Sequence, residues 1–395
     1  MEKYDVVIIG GGIAGLSTAL PICRKTDVKL LLVEKGPIGD PTKTSPFTFP
    51  DVVERFQLSD AVLQKYKRFT YRSPTGVTAS FEYESPAFVT LDYQKACGIM
   101  LKMMLKEGNA AVMENTEALD LEASKTDLKL ALSNSKSVVC NVLVDASGSN
   151  FFISRKLRTK LPTLYSHPYG EFLEGCEIED PEEMCIFSGN KYGNGGGWMY
   201  PIDRKTARFG FATVTRSSVY PRDIVEKNFR EAIRNFYPYN EMLSGAQRRR
   251  SEFGTIPFGP INNLAHRQFL IVGDAAGQAT PWYGEGVRPA LESGEMCGKT
   301  IAEAYQNGQL NARTLNNYQR LWDAKNRKTY SNRTRAGFRS YFRNQEQWDN
   351  SVRYQASLAP QEMMAIIRYG KWPTSQSNIL LRFYHRMRSV IGLSQ

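Results

Sequence analysis

The stretch DVVIIGGGIAGLSTAL, residues 5–20, decides the fold. Val6 to Ile9 are β-branched and apolar, the pattern of a short buried strand. Gly10, Gly12 and Gly15 follow, and then an apolar run with helical spacing, in which Pro21 is expected to kink the helix or end it early. Residues 29–33, KLLLV, form a second strand pattern ending at Glu34, 19 residues past Gly15. Strand, GxGxxG, helix, strand and acid in this order make a dinucleotide fingerprint. Each part has a physical task. Two glycines let the backbone approach a pyrophosphate, the third lets helix pack on strand, and the acid accepts hydrogen bonds from a ribose. The free N–H groups at the helix start favour the negative phosphates.

Outward from that unit, the pattern gives a helix over 92–106 and strands at 111–114, 117–123 and 127–132. An apolar strand at 139–144 then runs into Asp145-Ala146-Ser147-Gly148-Ser149. Residues 160–260 are rich in glycine and aromatics, with strand patterns at 183–188, 197–201 and 207–215 and a helix near 222–236. The chain returns through 268–272 into Gly273-Asp274 and a helix from about 286 to 305, and from 315 onward it is helical, aromatic and basic. The segment GNGGGW at 193–198 imitates a second fingerprint, but Trp198 stands at the last glycine position and a strand pattern follows.

Composition narrows the function classes. With 395 residues, 42% of them hydrophobic, the chain can bury a sizeable core. Six cysteines without CxxC pairs and three histidines suggest neither a metal site nor a disulfide framework, so the expected compartment is reducing and cytoplasmic. Asp5 and the glycines interrupt any signal-peptide core, and no run of 18 apolar residues suggests a membrane span. Residues 311–395 hold fifteen Lys and Arg against four Asp and Glu, which accounts for the whole formal charge of +11. In 375–395 the apolar residues Ile379, Leu380, Phe383, Met387, Val390 and Ile391 recur at helical spacing opposite Arg382, Arg386 and Arg388. Two readings stand for that segment: peripheral contact with an anionic membrane, or a basic cap on the nucleotide domain. No nucleic-acid-binding motif accompanies the basic charge, so nucleic acid is not an expected partner.

Three strand-to-turn motifs, at 10–15, 145–149 and 273–277, resemble the flavin-binding signatures of the hydroxylase-like FAD superfamily. Within it, GDAAGQATPWYGEGVRPALESG (273–294) and GGWMYPIDRKTARFGFA (196–212) are similar to two motifs of the geranylgeranyl reductase family. In the second motif Trp198, Tyr200, Pro201 and Gly210 match, whereas Gly196 and Ala212 depart from it. The segment Asp40–Pro46 lacks the Cys-Gly of many members, with Thr44 standing in for the cysteine, and the helix that usually begins with an arginine begins at Asp92-Tyr93.

The resemblance implies an α/β fold: a Rossmann-type FAD-binding domain, an inserted antiparallel-sheet substrate domain and a C-terminal helical region. The expected boundaries are 1–155 with 264–310 for the FAD domain, with an excursion toward the substrate domain near 70–90. Residues 156–263 would form the substrate domain and 311–395 the basic helical region. It implies FAD contacts from Gly10, Gly12, Ala14 and Gly15, and from Glu34, Lys35, Lys43 and Thr44. Further contacts would come from Asp145 and Gly148 in the middle turn, and from Gly273, Asp274, Gly284, Gly286 and Val287 in the last.

The implied reaction is saturation of the double bonds of a polyprenyl lipid by hydride from reduced flavin. An unactivated alkene must be held over the flavin beside an acid, in an apolar pocket with aromatic walls. Trp198, Tyr200, Pro201 and Trp282 are the candidate substrate wall, and Glu285, Tyr283 and Trp282 the candidate catalytic set. Glu285 is open to two readings, a helix-end acid or a proton relay at the flavin. The electron donor has no Rossmann unit of its own here, which leaves NAD(P)H bound transiently or a small redox protein. The alternatives are a flavin monooxygenase or halogenase, a carotenoid-type cyclase using reduced flavin without net redox, and a non-catalytic FAD-holding scaffold.

Overall fold

The computed structural model describes residues 1–42, 46–124, 127–259, 261–280, 283–331, 341–371 and 373. Strand β1 (Glu2–Ile9), helix α1 (Ile13–Lys25) and strand β2 (Leu30–Val33) form the expected βαβ unit. They sit in a sheet with a parallel run ordered Phe269–Ile271, Ser137–Asp145, β1, β2 and Ala110–Met113, to which Ala265–His266, Leu128–Leu132 and Ala118–Ala123 add antiparallel strands. All four residues of β2 are buried, as expected of strands covered on both faces.

Register explains why three distant motifs act together. Ile9 pairs with Val33 and with Asp145, and Asp145 pairs with Ile271. The strands therefore end at one level, and the turns after Ile9, Val33, Asp145 and Ile271 open on one crevice at the carboxyl edge of the sheet.

α1 does not end at Pro21, one of the two outcomes expected there, but runs through it to Lys25. Proline at that position removes a single N–H near the helix end, and its ring is buried against the helix Val287–Gln306. The two helices pack in close contact. A Cβ at Gly294 would lie 2.5 Å from the Ala14 carbonyl oxygen, and one at Gly298 2.1 Å from that of Thr18. Ser17 adds a hydrogen bond of 2.6 Å from its hydroxyl to the Leu291 carbonyl.

The second sheet is ordered Gln247–Phe253, Leu164–Glu174, Thr206–Thr215, Gly197–Pro201, Glu183–Phe187, Arg68–Arg72 and Thr78–Glu82. Two of these strands come from the excursion near 70–90. The sheet is antiparallel except at one junction, where Glu183–Phe187 and Arg68–Arg72 run parallel. Val225, Phe229 and Ala232 of the helix Arg222–Asn235 pack on it with Phe187, Phe209 and Phe211. A buried ion pair, Arg208 to Glu252 at 3.3 Å, ties the sheet to the strand Phe88–Leu91 through a 3.0 Å bond from Arg208 Nη1 to the Leu91 carbonyl.

The C-terminal region is helical at Asn317–Ser331, Gln345–Ala356 and Pro360–Tyr369. The amphipathic segment 375–395 lies outside the described residues. Among those described, no helix is long and apolar enough to cross a membrane.

Candidate functional site

A cavity of about 510 Å³ occupies the crevice at the strand ends, within the size range of ligand sites. Gly10, Gly12 and Ala14 line it from the first turn, and Glu34 with Lys35 from the end of β2. Gly148 lines it from the middle turn, and Asp274, Gly284, Gly286 and Val287 from the last.

The glycines divide into two kinds. A Cβ at Gly15 would lie 1.9 Å from the Gly10 carbonyl oxygen, and one at Gly10, whose φ is +108°, 2.2 Å from that of Ala146. Both positions are dictated by packing and turn geometry. At Gly12 the nearest atom to such a Cβ is the Tyr93 hydroxyl at 3.0 Å, so its bareness keeps the cavity floor at the start of α1 open. Helix α1 has no cap from its Gly12 N-cap and no acid in its first turn, and the Tyr93 hydroxyl stands at its Ile13 N–H, so the helix start presents donors and no negative charge to an anion.

Glu34 is held rigidly. Its Oε2 accepts from the Gly11 N–H at 2.7 Å and its Oε1 from the Gly36 N–H at 3.1 Å, and each oxygen retains a lone pair. Asp274 lies beside the start of the second helix, where a Cβ at Gly286 would be 4.0 Å from its Oδ1.

Three of the expected contacts lie outside the cavity lining: Gly15, Asp145 and Gly273. Asp145 is fully buried, its Oδ1 accepting from Ser147 N–H at 2.9 Å and its Oδ2 from Ile153 N–H at 2.7 Å. It holds the shape of the turn that presents Ser147 to Asn150, and burial pushes its carboxyl up against the pull of those N–H donors. Gly273, at φ +63°, makes room for Ala14. Lys43, Thr44 and Trp282 lie outside the described residues.

Glu285 lines the cavity and closes a helix end at once. Its Oε1 accepts from the Arg288 N–H at 2.7 Å, and its Oε2 lies 3.4 Å from the Arg288 guanidinium. Burial pushes its carboxyl above the ordinary range, and Arg288 opposes the shift. Arg288 is itself buried, 3.3 Å from Glu292, and donates to the Arg368 carbonyl at 3.1 Å. The acid is thereby tied to the helix Pro360–Tyr369.

Beside the large cavity lies a smaller one of about 80 Å³, and Phe47, Ile256 and Gly284 line both. Its wall includes Trp198, Tyr200, Tyr283, Tyr71, Tyr341 and Trp348. Pro201, next to Tyr200, is absent from the lining and accepts from the Tyr66 hydroxyl at 2.7 Å through its carbonyl. Trp198 pairs across the strands with Gly210, which pairs in turn with Gly170. A Cβ at Gly210 would be 2.3 Å from Trp198 Cζ2, and one at Gly170 2.8 Å from the same atom. The tryptophan thus lies over a bare strip of backbone, which is why glycine recurs opposite it. Gly196, at φ +76°, would push a Cβ to 2.4 Å from the Phe187 carbonyl oxygen, so glycine is required at the turn preceding the strand.

The sequence reading missed Tyr93, Thr116, Glu117 and the Phe253–Ile256 turn of the larger cavity, and Tyr71, Tyr341 and Trp348 of the smaller one. Only Tyr93 carried a local signal, as the first residue of a helix noted for lacking an arginine. The described residues fit a flavin dinucleotide: a cavity of adequate size, a helix start that presents donors and no negative charge, and a fixed carboxylate one strand away.

Comparison with known proteins places these features in a wider group. The family model described as lycopene cyclase protein matches residues 5–346. Digeranylgeranylglycerophospholipid reductase 2 of Methanothermobacter thermautotrophicus is 27% identical over 338 residues, covering 82% of this chain and 84% of the relative. The digeranylgeranylglycerophospholipid reductase of Methanocaldococcus jannaschii is 25% identical over 339 residues, covering 82% and 83%. Among solved structures, a geranylgeranyl bacteriochlorophyll reductase-like protein of Thermoplasma acidophilum has the same fold. It aligns with a TM-score of 0.82 at 19% identity, over 93% of this chain and 97% of its own. A flavin-dependent brominase variant aligns with a TM-score of 0.70 at 17% identity, over 98% and 99%.

Proposed function

The chain belongs to the lycopene cyclase protein family and is an FAD-dependent oxidoreductase, and from that premise we propose that it saturates double bonds of a polyprenyl lipid. The observation that carries the reading is the aromatic cavity, with no charged residue among its described lining, that shares three lining residues with the cofactor crevice. Bound reduced FAD would supply the hydride, its two electrons coming from NAD(P)H or, with protons from solvent, from a small redox protein. Gly12, Ile13, Glu34 and Asp274 would hold the cofactor, and Trp198, Tyr200 and Tyr283 the alkene beside it. Glu285, whose burial keeps its proton to higher pH, is our choice for proton delivery, with Arg288 fixing its position. The reductase names of the relatives support this assignment.

A second reading, a cyclase, is favoured by the family match and by the same buried acid, which could protonate a polyene without net redox. One experiment separates the readings: anaerobically reduced holoprotein is mixed with a digeranylgeranylglycerophospholipid and the lipid is weighed by mass spectrometry. Flavin reoxidation matched by two hydrogens gained per double bond lost supports the reductase. Reoxidation only on admitting O2, with a hydroxylated product, overturns it, and a ring-bearing product of unchanged mass assigns the cyclase.

A further inference from the structure

We propose that the small aromatic cavity receives a neutral, oxygen-bearing part of the ligand, with the indole N–H groups of Trp348 and Trp198 as its hydrogen-bond donors. The inference rests on the prenyl reading for the remainder of the ligand.

Both indole nitrogens are buried and have no hydrogen-bond partner among the described residues, and both tryptophans line the cavity. Trp348 is 7% exposed, so bulk water does not serve its N–H. An indole can only donate, and a buried donor left without an acceptor is costly and uncommon in a folded protein. A pure hydrocarbon in this cavity would leave both donors unmet.

Charge narrows the acceptor. Among the described residues the lining contains no Asp, Glu, Lys, Arg or His. An ionised headgroup such as a diphosphate would be desolvated there without a countercharge. Arg343 lies 5.9 Å from the centre of the Trp348 ring and is not part of the lining. The chemistry left is an uncharged acceptor: an ether, alcohol or carbonyl oxygen.

The donor is also well placed. Trp348 lies in the helix Gln345–Ala356, whose Asn344 accepts from the Gln347 N–H at 2.9 Å while its own N–H is bound by Gln347 at 3.1 Å. Gln345 accepts from the Asn190 N–H at 3.4 Å, which pins the helix to the second sheet.

The test uses oxidised holoprotein, so that binding is read from the perturbed flavin absorbance without turnover. The probes are a C20 tetraene hydrocarbon, geranylgeranyl methyl ether, which accepts but cannot donate, and geranylgeranyl diphosphate. Wild type should prefer the ether to the hydrocarbon by about tenfold, the worth of one net hydrogen bond. Trp348→Phe keeps a ring and deletes the N–H, and Trp198→Phe does the same at the other wall. In either variant the ether preference, read as the ratio of ether to hydrocarbon affinity, should shrink toward one. A preference unaltered in both variants, as when water serves the two donors, would overturn the proposal, and so would tightest binding of the diphosphate. A loss of reductase activity in the anaerobic experiment, with this preference intact, would count against the reductase reading alone.

Discussion

Gly210→Ala should destabilise the protein only while Trp198 is present. The added Cβ would lie 2.3 Å from Trp198 Cζ2 and 2.7 Å from its Cε2 and Cη2, and these are the three nearest atoms to it. Overpacking of this kind costs about 1–3 kcal/mol. In a Trp198→Ala background all three contacts disappear, and alanine is favoured over glycine within a strand by about 0.5–1 kcal/mol. The sign of the effect should therefore reverse, with a coupling between the sites of about 1.5–4 kcal/mol. The assay is urea unfolding of the four proteins, with the FAD Kd of each measured so that the contribution of ligand binding is subtracted. Additivity within about 0.5 kcal/mol would refute the claim that the glycine exists to seat the tryptophan.

Gly12→Val fills the cavity floor beside the Tyr93 hydroxyl, and the variant should purify colourless; a yellow protein with wild-type FAD stoichiometry by absorbance would contradict the site. Gly298→Val drives a Cβ to 2.1 Å from the Thr18 carbonyl, a backbone atom held within α1, and the cost should reach the upper end of about 1–3 kcal/mol in the same unfolding assay. Glu285→Gln should change the pH dependence of stability in a defined direction. Burial raises the folded-state pKa, so the native protein binds more protons than the unfolded chain above the usual glutamate range. The stability Glu285 contributes is thus fully present below that range and lost as pH rises through the raised value. Wild-type stability relative to the glutamine variant must fall with rising pH, and an opposite slope, measured by thermal melts across that interval, would reverse the assignment.

What was legible in the sequence was what local pattern encodes. Val6–Ile9, Leu30–Val33 and Gly10-x-Gly12-x-x-Gly15 announce strands and a turn through side-chain period and glycine spacing, and the structure places them as read. Pro21 does not end its helix, because its local cost is real but small beside the packing of α1 on the helix Val287–Gln306. Asp145 ends its strand one residue short of the level of Glu34, yet it is fully buried and outside the cavity lining, where the next turn folds back over it and donates the N–H groups of Ser147 and Ile153 to its oxygens. The parallel junction of Arg68–Arg72 with Glu183–Phe187 joins segments over a hundred residues apart, and no periodicity reports a partner. Trp348 and Tyr341 reach the aromatic cavity for the same reason: tertiary approach alone brings a tail helix and the turn before it there.

The glycine seam between α1 and the helix Val287–Gln306 also has a consequence for synthesis. The two helices that open on the crevice begin at Ile13 and Val287, and each is seated against the other through Gly294 and Gly298. During translation the βαβ unit emerges before its partner helix and waits with the face around Ala14 and Thr18 uncovered until some 260 further residues have been made. Truncation products that end before residue 298 would expose that apolar face. They should be retained by chaperones or degraded rather than accumulate as a small flavin-binding fragment.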